Sequence, residues 1–252
     1  MINRLLTPAD LNNGVFDAVY KHFEQIFPPD ESRARKTLTF DDAGGQRTIK
    51  GLEELIIEPN LEYSKANFLC MFEEGIKLNH HEAFRGGLLF YIFPEHGFAF
   101  VEYIFVSEGH RKRGHGRGLL EGALKNYMPS NINRLFAEVE REIDFSNKEE
   151  IKTVKERLRF FESVGFFPLL TEYIQPNYSS DKKPVLLHPM LNNLDGKKGI
   201  IPKEFINFMQ VFYQDIYGLP SKNSYFDNIK NPIKGHEIIE QRKPQYTHLL
   251  LL

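Results

Sequence analysis

Eight consecutive residues, Arg111, Lys112, Arg113, Gly114, His115, Gly116, Arg117 and Gly118, interleave four permanent cations with three glycines. Residues of these types, so spaced, suit the grip of an anion. Glycine lets a bulky group approach the backbone without meeting a Cβ, and the arginines and lysine add mobile positive charge around it. A diphosphate matches that combination. Nearby carboxylates, Glu102, Glu138 and Glu140, supply groups that could take a proton or hold a cation.

The flanking elements are those that would position such a loop. Before it, Phe98, Phe100, Ile104 and Val106 alternate with Ala99, Val101, Tyr103 and Phe105, an aromatic and β-branched run that predicts a strand buried on both faces. In strict alternation Glu102 interrupts the Phe98, Phe100, Ile104 and Val106 face. After the loop, Leu119, Leu120, Ala123, Leu124 and Tyr127 recur at helical spacing until Met128-Pro129. The glycines therefore sit where a helix begins, and the first turn of a helix carries unpaired N–H groups and the positive end of the macrodipole.

Spacing separates the glycine motifs that this could be. A dinucleotide fingerprint needs glycines at the first, third and sixth positions, and with Gly114 first and Gly116 third the sixth is Leu119. A phosphate loop built on Gly109 and Gly114 demands Lys and then Ser or Thr, where the chain has His115 and Gly116. What remains is Arg111, two residues, Gly114, one residue, Gly116, preceded by a strand ending at Val106. The segment YIFVSEGHRKRGHGRGLL resembles the strand, turn and helix of the acetyl-CoA motif in the GNAT N-acetyltransferase superfamily. Arg134 to Glu140 resembles its next strand, and RLRFFESVGFFPL its following helix and strand. Phrases at residues 27–31, 137–140 and 173–176 are similar to those of members without an assigned substrate.

The resemblance implies an α/β (α+β) fold: a mixed, mostly antiparallel central sheet flanked by helices, here with a C-terminal helical extension. It implies that the pyrophosphate of acetyl-CoA meets the backbone of residues 113–118, with Arg111 and Lys112 alongside. Pantetheine would run beside Ile104, Phe105 and Val106. The implied reaction is direct attack of a primary amine, on a small molecule or a protein, on the thioester. Glu102 is the first candidate for the base, since members often carry a glutamate near this place; Glu138 and Glu140 are the alternatives. Two family positions differ. Phe161 stands where many members have a tyrosine that protonates the leaving thiolate, and Val154 where an asparagine is common. Tyr173 is a candidate to supply the proton instead. The loss at Phe161 also motivates a rival reading, a non-catalytic acyl-CoA binding or sensing module.

At 252 residues the chain accommodates one substantial core, or a core with an appendage. Residues 1–194 read as the acetyltransferase domain and 195–252 as an extension, a helix over 202–217 plus a tail. A net charge of −2 gives no global attraction to nucleic acid or an anionic membrane, so the loop is a local basic feature and a nucleic-acid function ranks last. One cysteine, Cys70, forms no internal disulfide, and no leader-like or membrane-spanning run is present; the expected location is cytoplasmic. His80, His81 and Glu82 read as solvated surface, and no metal is expected. Acidic Glu24, Asp30, Glu31 and Glu172 could welcome a cationic acceptor.

The remaining elements follow from periodicity. Ile2 to Leu6 is an expected strand and Val15 to Phe27 a helix, while Asp41 to Gly51 reads as a turn or mobile loop. Tyr63 to Phe72 and Gly87 to Phe93 read as antiparallel strands, and Val185 to Leu191 as another. Ser146 with Glu149 makes a capping box for a helix ending at Gly165. Asp195 to Gly199 reads as a linker. Pro202 opens a helix whose stripe from Phe205 to Ile216 packs on the core or, alternatively, forms a homodimer surface. Residues 221–252 show no clear period.

Overall fold

The computed structural model describes residues 1–27, 33–42, 45–169, 171, 173–178, 184–197, 199–233 and 239–240. In chain order the elements are β1 (Ile2–Leu5), α1 (Val15–Ile26), β2 (Leu38–Asp42), β3 (Gly45–Ile49), α2 (Leu52–Ile57), β4 (Lys65–Phe72), β5 (Phe84–Phe93) and β6 (Phe98–Val106). There follow α3 (His115–Tyr127), β7 (Arg134–Glu140), α4 (Lys148–Ser163), β8 (Phe167–Pro168), β9 (Tyr173–Gln175), β10 (Val185–Asn193), β11 (Gly199–Ile200), α5 (Pro202–Tyr217), α6 (Ser224–Ile233) and β12 (Ile239–Glu240). Eight strands form one sheet in the order β1-β4-β5-β6-β7-β10-β8, with β9 also on β10. Every neighbour in it is antiparallel except β6 and β7, because α3 carries the chain back to the same end of the sheet. This is the mixed, mostly antiparallel sheet that the motif implies.

Each face of the sheet buries its own apolar cluster. On one face α3 and α4 cover Leu88, Phe90, Ala99, Val101, Leu135 and Ala137. On the other, α1, α2 and α5 cover a ring-rich cluster that includes Tyr91, Phe98, Phe100, Phe136 and Tyr173. Phe208 of α5 stacks on Phe98 with centroids 4.2 Å apart, and Phe212 meets Phe100 edge-on at 4.7 Å. The stripe from Phe205 to Ile216 is therefore consumed inside the chain, and it closes with Gly218 in the left-handed conformation at φ 63°.

Several expectations need correction. The alternation along β6 breaks at a bulge: Phe90 pairs with Val101 and Leu89 with Tyr103, leaving Glu102 as the extra residue. Tyr103 and Phe105 thus join Phe98 and Phe100 on one face, while Ile104 packs with Ala99 and Val101 on the other. Periodicity alone carries no signal for an inserted residue. The stretch read as a loop after Asp41 is mostly strand, since β2 and β3 pair from Leu38↔Ile49 to Asp42↔Gly45. Its inward residues, Arg47 and Ile49, alternate with exposed Gln46 and Thr48, and a buried arginine hides the strand pattern. The cap of α4 is Asn147, whose side chain accepts from the Glu149 N–H at 2.9 Å, one residue after Ser146. Within residues 221–252, α6 is capped by Asn223 and buries Tyr225, Phe226 and Ile229.

Candidate active site

The basic loop is built at the junction of β6 and α3. Arg111 folds its side chain back so that Nε donates to the Val106 carbonyl at 3.1 Å, pinning the loop to the end of the strand. Lys112 has φ 61° and Gly114 φ 82°, two left-handed residues that reverse the chain before the helix. The first i to i−4 bond of α3 runs from the Gly118 N–H to the Gly114 carbonyl at 2.9 Å, which leaves the N–H groups of the preceding turn without helical partners. A Cβ built on Gly114 or Gly118 meets nothing within 4 Å, whereas one on Gly116 comes within 3.2 Å of the Phe160 ring. Arg111, Lys112, Arg113, Arg117 and both outer glycines are exposed. Arg117 donates to the Ser163 carbonyl at 2.7 Å, so α4 steadies the same turn. Beside it, burial and the cations Arg85 and Arg113, with His115, push the His110 imidazole below its ordinary pKa. Unused peptide donors, open space and cations together fit an anionic ligand.

Next to this loop the sheet opens. Strands β6 and β7 pair from Phe98↔Arg134 to Phe100↔Phe136 and no further. Beyond that point β6 continues along β5 as far as Val106, and β7 continues along β10 as far as Glu140. Ile104, Phe105 and Val106 therefore run with their β7-facing edge free of a strand partner.

Glu102 and Glu138 flank this divergence in different surroundings. The bulge aims Glu102 into the ring-rich layer, where its side chain and that of Arg33 are each only 1% exposed. Arg33 donates to it through Nε, at 3.2 and 3.3 Å from the two oxygens, and through Nη2 at 3.0 Å. Tyr91 and Tyr178 add hydroxyl donors at 2.7 and 2.6 Å. Arg33 in turn donates to the carbonyls of Lys50 and Ile216, and its backbone N–H to the Tyr103 hydroxyl. Its guanidinium also lies over the rings of Tyr91 and Tyr178. Burial pushes the Tyr91, Tyr103 and Tyr178 hydroxyls well above their ordinary pKa. Four charge-assisted or hydroxyl donors hold this carboxylate in place.

Glu138 has one partner. Gln175 Nε2 donates to its Oε1 at 2.5 Å and to the Tyr217 hydroxyl at 3.1 Å, while Oε2 is enclosed and has no hydrogen-bond partner among the described residues. Burial, then the charges of Glu102 and Glu140, hold the Glu138 carboxyl well above the usual carboxylate range. Glu140 is instead paired with Arg157 at the rim.

The other candidates fall elsewhere. Tyr173 is buried among Phe136, Phe212 and Tyr213, with its hydroxyl unpartnered among the described residues. It belongs to the opposite apolar cluster from Phe161, which packs between Phe160 and Phe166, so the two do not share a position. Val154 is buried on α4. Of the acidic residues suggested for a cationic acceptor, Glu24 is exposed, and Asp30, Glu31 and Glu172 lie outside the described residues. No group of metal-ligating side chains occurs among the described residues. Sequence reasoning missed Arg33, Tyr91, Gln175, Tyr178 and Tyr217, which reach the carboxylates only through tertiary packing; an arginine in a charged stretch and tyrosines in apolar runs carry no local signal.

Residues 16–166 match the family model described as the acetyltransferase (GNAT) family. No curated protein is similar to the chain in sequence. Among solved structures, a GNAT-family protein from Bacteroides thetaiotaomicron superposes with a TM-score of 0.59 at 19% identity, covering 87% of this chain and 100% of that one. The structure of yncA from Salmonella typhimurium with its cofactor acetyl-CoA gives a TM-score of 0.44 at 14% identity, covering 78% of this chain and 95% of that one.

Proposed function

The chain belongs to the GNAT acetyltransferase family and is an N-acetyltransferase, and from that premise we propose that it moves the acetyl group of acetyl-CoA directly to a primary amine of a small molecule or a protein. The observation that carries this reading is the turn before α3, with unfilled space at Gly114 and Gly118 beside the divergence of β6 and β7. The backbone of residues 113–118, with Arg111 and Lys112, would hold the diphosphate, and Ile104, Phe105 and Val106 the pantetheine. Acetyl-CoA supplies the activated acyl carbon; the protein supplies orientation, peptide donors and a proton acceptor in the carboxylate pair at the opening.

Residues 1–194 are taken as the acetyltransferase unit and 195–252 as an extension whose helix α5 roofs the ring-rich face. No helix among the described residues is long and apolar enough to cross a membrane. Tyr173 is retained as the residue to test for protonating the thiolate, with solvent as the other source.

The buried phenylalanine at 161 favours one rival, an acyl-CoA sensor without turnover. Calorimetry with CoA and thiol release with a panel of amines separate the two. Saturable CoA binding with amine-dependent thiol release supports the enzyme; binding without release supports the sensor. Absence of CoA binding overturns both.

A further inference from the structure

We propose that Glu138 is the group that takes the proton from the acceptor amine, with Gln175 and Tyr217 as its positioning residues and Glu102 as a fixed electrostatic wall. The inference rests on the reading of the chain as an amine acetyltransferase and names the proton acceptor within it. Its first support is topological. Phe100↔Phe136 is the last pair between β6 and β7, and Phe136 faces the ring-rich cluster while Ala137 and Val139 face the other. Glu138 is thus the next β7 residue on the Phe136 side, where the strands diverge.

The second support is the inequality of the two carboxylates. Both oxygens of Glu102 are taken by Arg33, Tyr91 and Tyr178, and freeing one would strand the Arg33 charge in the interior. Among the described residues Glu138 is held through Oε1 alone, and its enclosed Oε2 lacks a partner. Native proteins rarely leave such an atom unsatisfied, and an orphan at a functional opening marks a place for a ligand donor. The Gln175 amide bridges Glu138 to Tyr217, whose side chain hydrogen-bonds Tyr178, so the free carboxyl is oriented by the same layer that fixes Glu102.

The groups facing Glu138 are Glu102 of β6 with its partner Arg33, Glu140 of β7 with its partner Arg157, Gln175 of β9, and Tyr213 and Tyr217 of α5. An enclosed setting and two neighbouring carboxylates raise its affinity for a proton, which suits a group that accepts one from the acceptor. An acceptor that arrives as an ammonium gives one proton to Oε2. Its nitrogen lone pair then forms the bond to the acetyl carbon as the carbon–sulfur bond breaks, the sulfur keeping that electron pair. A second nitrogen proton leaves to neutralise the thiolate through solvent, and Glu138 later returns its own proton to water.

The test is Glu138→Gln in the full chain, with an amine that the wild type acetylates. We expect kcat to fall by about a hundredfold or more, the acidic limb of the pH profile to vanish, and CoA affinity by calorimetry to be unchanged. Independently of turnover, the protonated-carboxyl infrared band missing from the variant should titrate in the wild type at the pH of that limb. A variant with wild-type kcat and an intact limb, or a carboxyl that titrates elsewhere, overturns the inference while leaving the acetyltransferase reading standing. If the variant does not fold, Glu138→Asp serves: a displaced limb with reduced kcat is expected, and an unmoved limb with full kcat overturns it. A wild type that binds CoA and acetylates no amine overturns the enzymatic reading itself.

Discussion

The turn before α3 and the carboxylate layer under α5 are neighbours built on opposite plans. The turn is open: its outer glycines, Gly114 and Gly118, face empty space, its cations are exposed, and its peptide donors are unspent. The Arg33–Glu102 pair is full, locked among three tyrosines and the carbonyls of Lys50 and Ile216. A site for a large, soluble anion can be left to solvent between turnovers, because water satisfies its donors at no cost. A site that must set the charge of a single carboxyl needs its surroundings fixed beforehand.

Breaking the filled half should have the largest effect. Arg33→Ala leaves Glu102 buried without its cation, and a loss of about 3–5 kcal/mol is expected in urea unfolding. Replacing both residues with apolar ones of similar size should recover much of that loss; a double variant as unstable as the single one would show that the pair is not a closed unit. In the open half, Gly114→Ala forces a side chain into the left-handed region and should cost about 1–2 kcal/mol. Gly118→Glu meets no neighbour, so stability should stay within about 0.5 kcal/mol while CoA binding weakens at least tenfold. A variant that destabilises the fold yet binds CoA normally would reverse the contrast.

Salt and pH sharpen the comparison further. CoA affinity should decline with ionic strength because the loop cations are exposed, whereas the buried pair should respond little. Glu138 gives a smaller signature in stability. Its folded pKa is raised, so between the ordinary glutamate value and that raised value the folded state binds more protons than the unfolded state. Stability contributed by the protonated carboxyl is full below this window and is lost as pH rises through it, with a slope of no more than about 1.4 kcal/mol per pH unit. Denaturant melts of wild type and Glu138→Gln across that range should differ in slope, and parallel curves would remove the shift.

Legibility in the sequence followed the same division. The open half lies in one stretch from β6 through α3, so its strand pattern, glycine spacing and helix period could be read directly, and the sheet was implied by that motif. The filled half draws Arg33 to Glu102 across 69 positions and to Ile216 across 183. No local period encodes such a meeting. Glu102 itself was visible as a carboxylate in an apolar strand, yet its bulge and its partners were not. Likewise α5 was legible from Pro202 to Gly218, but Arg47 clasping the Tyr217 carbonyl from β3 was not.

The bulge in β6 works as a phase shifter between the two halves. One additional residue turns the remaining four positions of the strand over, so that Val106 lies toward the start of α3, with its Cγ2 3.8 Å from where a Cβ on Gly116 would stand. Flattening the bulge with position 102 kept would rotate Val106 away and send Tyr103 and Phe105 into the layer beneath α3 and α4. Excising position 102 instead removes the extra residue and leaves residues 103–106 on their present faces. What the insertion adds is therefore the carboxylate itself: a chain one residue shorter at this point would aim its loop the same way and lack Glu102.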